Sequence, residues 1–262
     1  MPREGAGWDS AQYLRFESER TLPCRDLARR VELDAPRRVV DLGCGPGNST
    51  AVLRDRWPRA RIVGVDSSAE MLVRARESAV EAEWTLADVR TWRPRTRVDL
   101  VFSNAALQWV PDHPQAIPRI WRWVAPGGAF AFQVPARSEP TPAWVRAMAT
   151  VQRRPRWHRI LERRAEETPV LPPASYYDLL ASAARRIDLW DTEYHHVLDG
   201  PVAVVEWIRG TALRPWLTQL TEEADRAALL AELTREIARA YPPRRDGKVV
   251  FPFLRRFVVA YR

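Results

Sequence analysis

Lysine is almost missing from this 262-residue chain: Lys248 is its one lysine, although lysine and arginine together number 41. Arginine substituting for lysine explains much of that bias, and no basic run exceeds two residues, so the net charge of +8 is not gathered into an obvious polymer-binding stripe. The charge favours an anionic partner without choosing among nucleic acid, a membrane surface and small acids. Cysteine is also scarce. Cys24 and Cys44 cannot form a disulfide framework, and a reducing cytoplasm fits them best. Long apolar runs are absent: no stretch approaches eighteen residues, and Met1 to Asp9 has no apolar h-region, so neither a membrane span nor a signal peptide is expected. The four histidines, His113, His158, His195 and His196, show no ligand-type spacing with Cys or Asp, and no metal is expected. There is no internal repeat and no low-complexity tract. What is present is globular: 46% hydrophobic, 28% charged and 12 tryptophans, enough to fill the core of one elaborated domain.

From Arg38 onward, short apolar runs alternate with helix-like segments. Val39-Val40-Asp41-Leu42 reads as a buried strand, 49–57 as a helix, 61–65 as a strand, 69–79 as a helix, and 84–87 and 98–103 as the next two strands. Residues 113–124 read as a helix stopped by Ala125-Pro126-Gly127-Gly128, with a fifth strand over 129–134. Strands separated by helices imply right-handed parallel crossovers. The expected fold is therefore α/β, a Rossmann-like doubly wound sheet whose ligand lies at the carboxyl ends of the strands near the switch in strand order. After Pro135 the spacing becomes irregular, and 140–171 suggests one or two helices of a lid. Helices are expected over 175–183, 201–209 and 221–241, the last opening on a Thr-x-Glu signal, and strands over 186–197 and 249–261. The expected organisation is a helical lid segment over 1–36, a nucleotide-binding core over 37–135, and helical acceptor-binding insertions over 136–184 and 200–247. Residues 185–199 and 248–262 would be the last two of seven strands.

The strongest local signal is Asp41-Leu42-Gly43-Cys44-Gly45-Pro46-Gly47-Asn48, after a strand and opening a helix. Glycine suits a sharp turn whose backbone lies against a ligand that a Cβ would exclude. The spacing is G-x-G-x-G rather than the dinucleotide G-x-G-x-x-G, and it is preceded by an acid. Asp41 would repel a phosphate but can accept hydrogen bonds from an ammonium group. Asp66, ending the second strand, can take both hydroxyls of a ribose. Asp88, ending the third, is placed for an adenine amino group, with Val89 and Arg90 beside it. Loop and carboxylates together match the binding pattern of S-adenosylmethionine methyltransferases.

Asp66-Ser67-Ser68 belongs to that general pattern, and further segments join it: Ser103-Asn-Ala-Ala-Leu-Gln-Trp-Val-Pro-Asp-His113, Ala212-Leu-Arg-Pro-Trp-Leu217 and Phe251-Pro-Phe-Leu-Arg-Arg-Phe257, of which Ala106-Leu-Gln-Trp109 and Leu213-Arg-Pro-Trp-Leu217 narrow the match. With these and Trp8-Asp9, Tyr13, Phe16, Arg20 and Tyr176-Tyr177-Asp178, the chain resembles the trans-aconitate 2-methyltransferase family from about Trp8 to its end. The resemblance implies a class I methyltransferase fold and methyl transfer from S-adenosylmethionine to a carboxylate of a small polycarboxylic acid. The implied cofactor-binding residues are Asp41, Gly43, Gly45, Gly47, Asn48, Asp66, Ser67, Asp88, Val89, Asn104 and Trp109. For the acceptor they are Trp8, Tyr13, Arg20, Tyr177 and Arg214, with Trp109 and Tyr177 as positioning residues and no assigned catalytic residue.

The chain departs from the family pattern at Ala136-Arg137, after the fifth strand, and in the Arg- and Trp-rich stretch 144–164. Both departures bear on the acceptor more than the reaction, so a natural-product or other small-molecule acceptor is the alternative. A nucleic-acid methyltransferase would carry an Asn/Asp-Pro-Pro-Tyr-like motif where this chain reads Ser103-Asn104-Ala105-Ala106. A non-catalytic nucleoside-binding module would keep the loop without turnover. The partner expected is a small anion, with neither nucleic acid nor membrane, for a cytoplasmic monomer or homodimer.

Overall fold

The computed structural model describes residues 17–136, 140–161 and 170–262. Helix α1 (Glu17–Arg30) precedes an alternating run: β1 (Arg38–Leu42), α2 (Asn48–Arg56), β2 (Arg61–Asp66), α3 (Ala69–Glu77), β3 (Glu83–Leu86), β4 (Val98–Asn104), α4 (His113–Trp121) and β5 (Val124–Pro135). Then come α5 (Ala143–Gln152), α6 (Pro155–His158), α7 (Pro173–Ala181), β6 (Arg186–Leu198), α8 (Gly200–Arg209), α9 (Arg214–Leu217), α10 (Glu223–Ala240) and β7 (Val249–Tyr261). The strands form the expected seven-stranded sheet, in the order β3-β2-β1-β4-β5-β7-β6. β1 to β5 run parallel and β7 is antiparallel to β5. Strand order reverses between β1 and β4, which puts the switch point at the glycine loop. Among the described residues no helix is long and apolar enough to cross a membrane.

Two compact units divide the chain. The first comprises Glu17–Ala136, Thr168–Thr192 and Arg255–Arg262. One face of its sheet buries Val40, Leu42, Val101, Phe130, Phe132, Val258 and Ala260 with Ile117 and Ile120 of α4 and Tyr176 and Leu180 of α7. The other face carries Asp41, Gly64, Phe102, Ala131 and Phe257, because residues in register point the same way and side chains alternate along a strand. Helices α2 and α3 cover the β1–β3 end of that face, through Ser49 and Thr50 on Asp41 and through Leu72 and Ala75 with Cys44 and Trp84. α1 lies on the same face: Arg30 stacks over Trp190, whose ring stacks on Phe257, and the Tyr261 hydroxyl accepts from the Glu32 amide at 2.9 Å and donates to the Arg30 carbonyl at 3.2 Å.

The second unit takes in the described parts of Arg137–Glu167 and Glu193–Leu254. Its core gathers Trp157, Trp207 and Trp216 with Leu229, Leu233 and Ile237 on one stripe of α10, and Phe251. Arg154 pairs with Glu232 at 2.6 Å and with Glu236, while the Trp157 indole donates to Glu232 at 2.9 Å.

Residues 17–36 and 170–184 group with the sheet, and the end of β6 and the start of β7 with the helical unit. α10 starts at Glu223 without a side-chain cap, not at the Thr-x-Glu signal of Thr221. β5 starts at Val124, because Ala125 to Gly128 fold into a register shift opposite β4 instead of ending before the strand. A Cβ at Gly128 would meet the Asp99 carbonyl at 2.5 Å, so glycine is what lets β5 resume. His195-His196 follows strand parity: His196 is buried and His195 exposed.

Gly64 sits under the Trp84 ring, where an added Cβ would stand 2.6 Å from two ring carbons and 3.0 Å from Cys44 Sγ. Gly64→Ala is therefore expected to destabilise the protein by about 1–3 kcal/mol through overpacking. Trp84→Leu should recover much of that loss in the double variant, as read by the urea midpoint.

Candidate active site at the carboxyl edge of the sheet

Beyond β1, Gly43, Gly45 and Gly47 adopt φ values of +70°, +56° and +99°, a region that side chains with a Cβ rarely enter. A Cβ on Gly43 would lie 2.1 Å from Cβ of Ala106, so the loop abuts the segment that follows β4 across the switch point. Gly45 has open space where its Cβ would be, leaving backbone that a ligand can approach. Asn48 opens α2.

Asp41 is fully buried, and its Oδ2 accepts from Ser49 Oγ and Thr50 Oγ1, both at 2.7 Å. Oδ1 has no partner among the described residues. Burial pushes this carboxyl up to about 6, against the two hydroxyl bonds that pull it down and with the nearby Asp66 charge adding to the rise. Asp66 is half-buried at the end of β2 and spans the loop: Oδ2 accepts from the Gly45 amide at 2.9 Å and Oδ1 from the Ser68 amide at 2.8 Å. Ser67 beside it is exposed.

Asp88 departs from its expected place. β3 stops at Leu86, so Asp88 lies in the loop beyond, chelated by its near neighbour Arg90 with contacts of 2.5 to 3.0 Å. That guanidinium is the main cause holding its carboxyl below the usual range. Val89 next to it is half-buried, and its carbonyl accepts from Arg119 at 2.8 Å.

Asn104 ends β4, and its Oδ1 accepts from Gln133 Nε2 at 2.6 Å. Ala105 follows with φ +52°, a strained conformation for a residue with a Cβ, and its carbonyl accepts from Gln108 Nε2 at 2.6 Å. The Oε1 atoms of buried Gln108 and Gln133 have no partner among the described residues. Leu107 to Trp109 form one 3-10 turn, with Trp109 half exposed. The turn is fixed from below. The Leu171 amide donates to the Tyr176 hydroxyl at 3.2 Å, which must then give its own proton to His113 Nδ1 at 2.7 Å, and His113 Nε2–H donates to the Leu107 carbonyl at 2.9 Å. A carbonyl can only accept, so this chain sets one neutral tautomer for His113. Burial lowers the His113 pKa and raises that of Tyr176 to about 12, which keeps both neutral. With both nitrogens engaged, His113 is a positioning group and not a base.

The cofactor candidates Asp41, Gly43, Gly45, Gly47, Asn48, Asp66, Ser67, Asp88, Val89, Asn104 and Trp109 thus converge on one edge of the sheet unit. Tyr177, exposed on α7, adjoins the buried Tyr176 of the clamp. Arg20 is half-buried near the start of α1. Arg214, half-buried, opens α9 in the helical unit. Trp8 and Tyr13 lie outside the described residues, as does Arg137. Sequence reasoning assigned no role to Gln133, Tyr176 and Arg255: Tyr176 and Arg255 fall inside family-like segments, but the place of Tyr176 on α7 beside His113 and the neighbouring rungs of Gln133 and Arg255 are set by the fold.

An open sheet of this order with a glycine loop at its switch point and acids at the ends of β1 and β2 defines a class I methyltransferase. Residues 39–128 match the model of the family described as Methyltransferase domain. Among solved structures, the YcgJ protein from Bacillus subtilis shares the fold with a TM-score of 0.56 at 14% identity, over 94% of this chain and 98% of that one. Phosphoethanolamine N-methyltransferase 2 of Haemonchus contortus, in complex with S-adenosylhomocysteine, shares it with a TM-score of 0.54 at 14% identity, over 92% of this chain and 52% of that one. The chain is 49% identical to trans-aconitate 2-methyltransferase of Azoarcus sp. strain BH72 over 97% of its own length and 99% of the relative's. It is 46% identical to the protein of the same name from Rhodopseudomonas palustris strain BisB18, over 98% and 100% of the two lengths. This chain belongs to the trans-aconitate 2-methyltransferase family.

The Asp41 carboxyl makes a prediction about the ligand-free protein. Its folded value of about 6 lies above the ordinary 3.8, so the folded state holds an extra proton between those two pH values. Stability from this group is fully present below pH ~4 and is lost as pH rises through 6, a decline of about 3 kcal/mol. In urea unfolding across pH 4 to 7, the stability of the native protein relative to Asp41→Asn should fall by that order, and a difference that stays flat would refute the assignment.

Proposed function

We propose that this protein transfers the methyl group of S-adenosylmethionine to a carboxylate of trans-aconitate, giving a monomethyl ester and S-adenosylhomocysteine. The observation that carries the acceptor is the near-half identity to trans-aconitate 2-methyltransferases along the whole chain, well beyond the 39–128 stretch of the methyltransferase domain model. The site fits the cofactor on its own chemistry. Open backbone at Gly45 suits close contact with a ligand, and the unpartnered Oδ1 of Asp41 suits an ammonium group. Asp66, held by two backbone amides, keeps lone pairs for a ribose diol.

When bound, S-adenosylmethionine supplies an electrophilic sulfonium methyl; the O–CH3 bond forms as the S–CH3 bond breaks and a neutral thioether leaves. The chain need not move a proton. A carboxylic acid with pKa near ~4 is ionised at neutral pH, so its oxygen is already a nucleophile. Catalysis is then mainly orientation, which can be worth roughly 7–11 kcal/mol. In this reading Trp109, fixed on the clamped turn, and Tyr177 shape the methyl path. By the family resemblance, Arg20 and Arg214 are candidate forks for the carboxylates that do not react, and Trp8 and Tyr13 are further acceptor-binding candidates.

Incubation with methyl-labelled cofactor and a panel of small carboxylates should label trans-aconitate as a monoester by mass spectrometry; no labelled ester would turn the reading toward another small-molecule acceptor. Asp66→Ala should weaken calorimetric cofactor affinity at least about tenfold, the order expected for losing charge-assisted hydrogen bonds, and unchanged affinity would sink the ribose role. Arg214→Ala should raise the acceptor KM with little change in cofactor affinity, whereas equal losses on both ligands would make the residue structural.

A further inference from the structure

We infer that Arg255 is a specificity residue of this enzyme, its guanidinium binding a carboxylate of the acceptor. The inference rests on the carboxyl-methylation reading above. Arg255 is 5% exposed. A guanidinium is a permanent cation whose five donors in a planar fork can serve more than one acceptor at once. Its place is the reason to look for a ligand there. Arg255 is in register with Pro135, the last residue of β5, and two residues from Phe257, which is in register with Gln133. Alternation therefore puts Arg255 on the sheet face that carries Asn104 and Gln133, one rung further toward the carboxyl edge. Gln133 on that face is fully buried and presents an oxygen with no partner among the described residues, which marks the edge as built for polar ligand atoms. Arg256, on the opposite parity, faces away from that surface and bonds Asp191 at 2.9 and 2.7 Å and the Leu171 carbonyl at 2.7 Å.

Strand order separates the acceptor from the cofactor. β7 lies three strands from β1 and four from β2, which bear Asp41 and Asp66. At a spacing of about 4.8 Å per strand, that places the Arg255 backbone roughly 14 Å and 19 Å away from them, across β1 from the nucleoside end and on the side left for the acceptor.

The test uses the full chain with Arg255→Gln and Arg255→Lys, measuring acceptor kcat and KM, calorimetric cofactor affinity, and KM for dicarboxylate analogues that each lack one carboxylate of trans-aconitate. For Arg255→Gln, the KM for trans-aconitate should rise roughly 10- to 100-fold, the order expected for a lost charge-assisted pair, with cofactor affinity within about twofold. The penalty should shrink to within about threefold for the analogue missing the carboxylate that Arg255 holds, since a pairwise contact can be lost only once. Arg255→Lys keeps the charge without the fork and should fall between; it reads the same comparison if the glutamine variant does not fold. A parallel loss of cofactor affinity would move the guanidinium to the methionine carboxylate, and equal penalties with every acid would make it structural; either overturns the inference. Native enzyme that esterifies none of the acids would bring down the underlying reading and this inference with it. Native turnover with both variants unchanged would bring down this inference alone.

Discussion

The buried carboxylate of Asp41 sits where three parts of the site meet: the end of β1, the first turn of α2 and the glycine loop between them. Two hydroxyls on consecutive residues, Ser49 and Thr50, grip one of its oxygens, which fixes the direction in which the chain leaves the sheet. The other oxygen is left without a protein partner among the described residues, and the rise of the pKa to about 6 measures how incompletely the two bonds offset burial. A cation delivered by a ligand would meet that deficit. The same group thus shapes the loop and gives it a preference for positive charge over phosphate, which separates this site from a dinucleotide-binding one of similar topology.

The turn that faces the loop across the switch point is held just as tightly. Contact between Gly43 and the Ala106 side chain leaves no room for a Cβ between β1 and the turn after β4. Below it, the Leu171 amide, Tyr176, His113 and the Leu107 carbonyl form one directed run of hydrogen bonds through neutral groups. Trp109 is half exposed, but the turn that carries it is anchored in the core, so the backbone beneath the ring is fixed. Because the reaction of a carboxylate needs positioning rather than proton transfer, a histidine locked in one tautomer is compatible with catalysis.

Periodicity located the strands with small errors, since buried parallel strands read as apolar runs and Gly or Pro punctuates their ends. It failed where tertiary contacts outweigh local signals. The Thr221 start signal is bypassed by a helix that begins at Glu223, and Ala125 to Gly128, which look like a stop between elements, fold into the irregular start of β5. α1 has a weak amphipathic pattern interrupted by Pro23, so its docking on the sheet is decided by Leu27 and by Tyr261, 231 residues away from the carbonyl it binds. Asp88 was legible as an acid after a strand, but not as one already chelated by Arg90.

The sequence by itself determined the sheet, the glycine loop, the acids at Asp41 and Asp66 and the family, because each depends on residues close together in the chain whose spacing is visible. Tertiary structure alone decided which acid has an oxygen to spare, which tautomer His113 carries, and that Gln133 and Arg255 share a face and an edge with Asn104. Those properties follow from burial, from hydrogen bonds between elements and from strand register, which brings residues of β5 against residues of β7 far along the chain, and no local pattern encodes them.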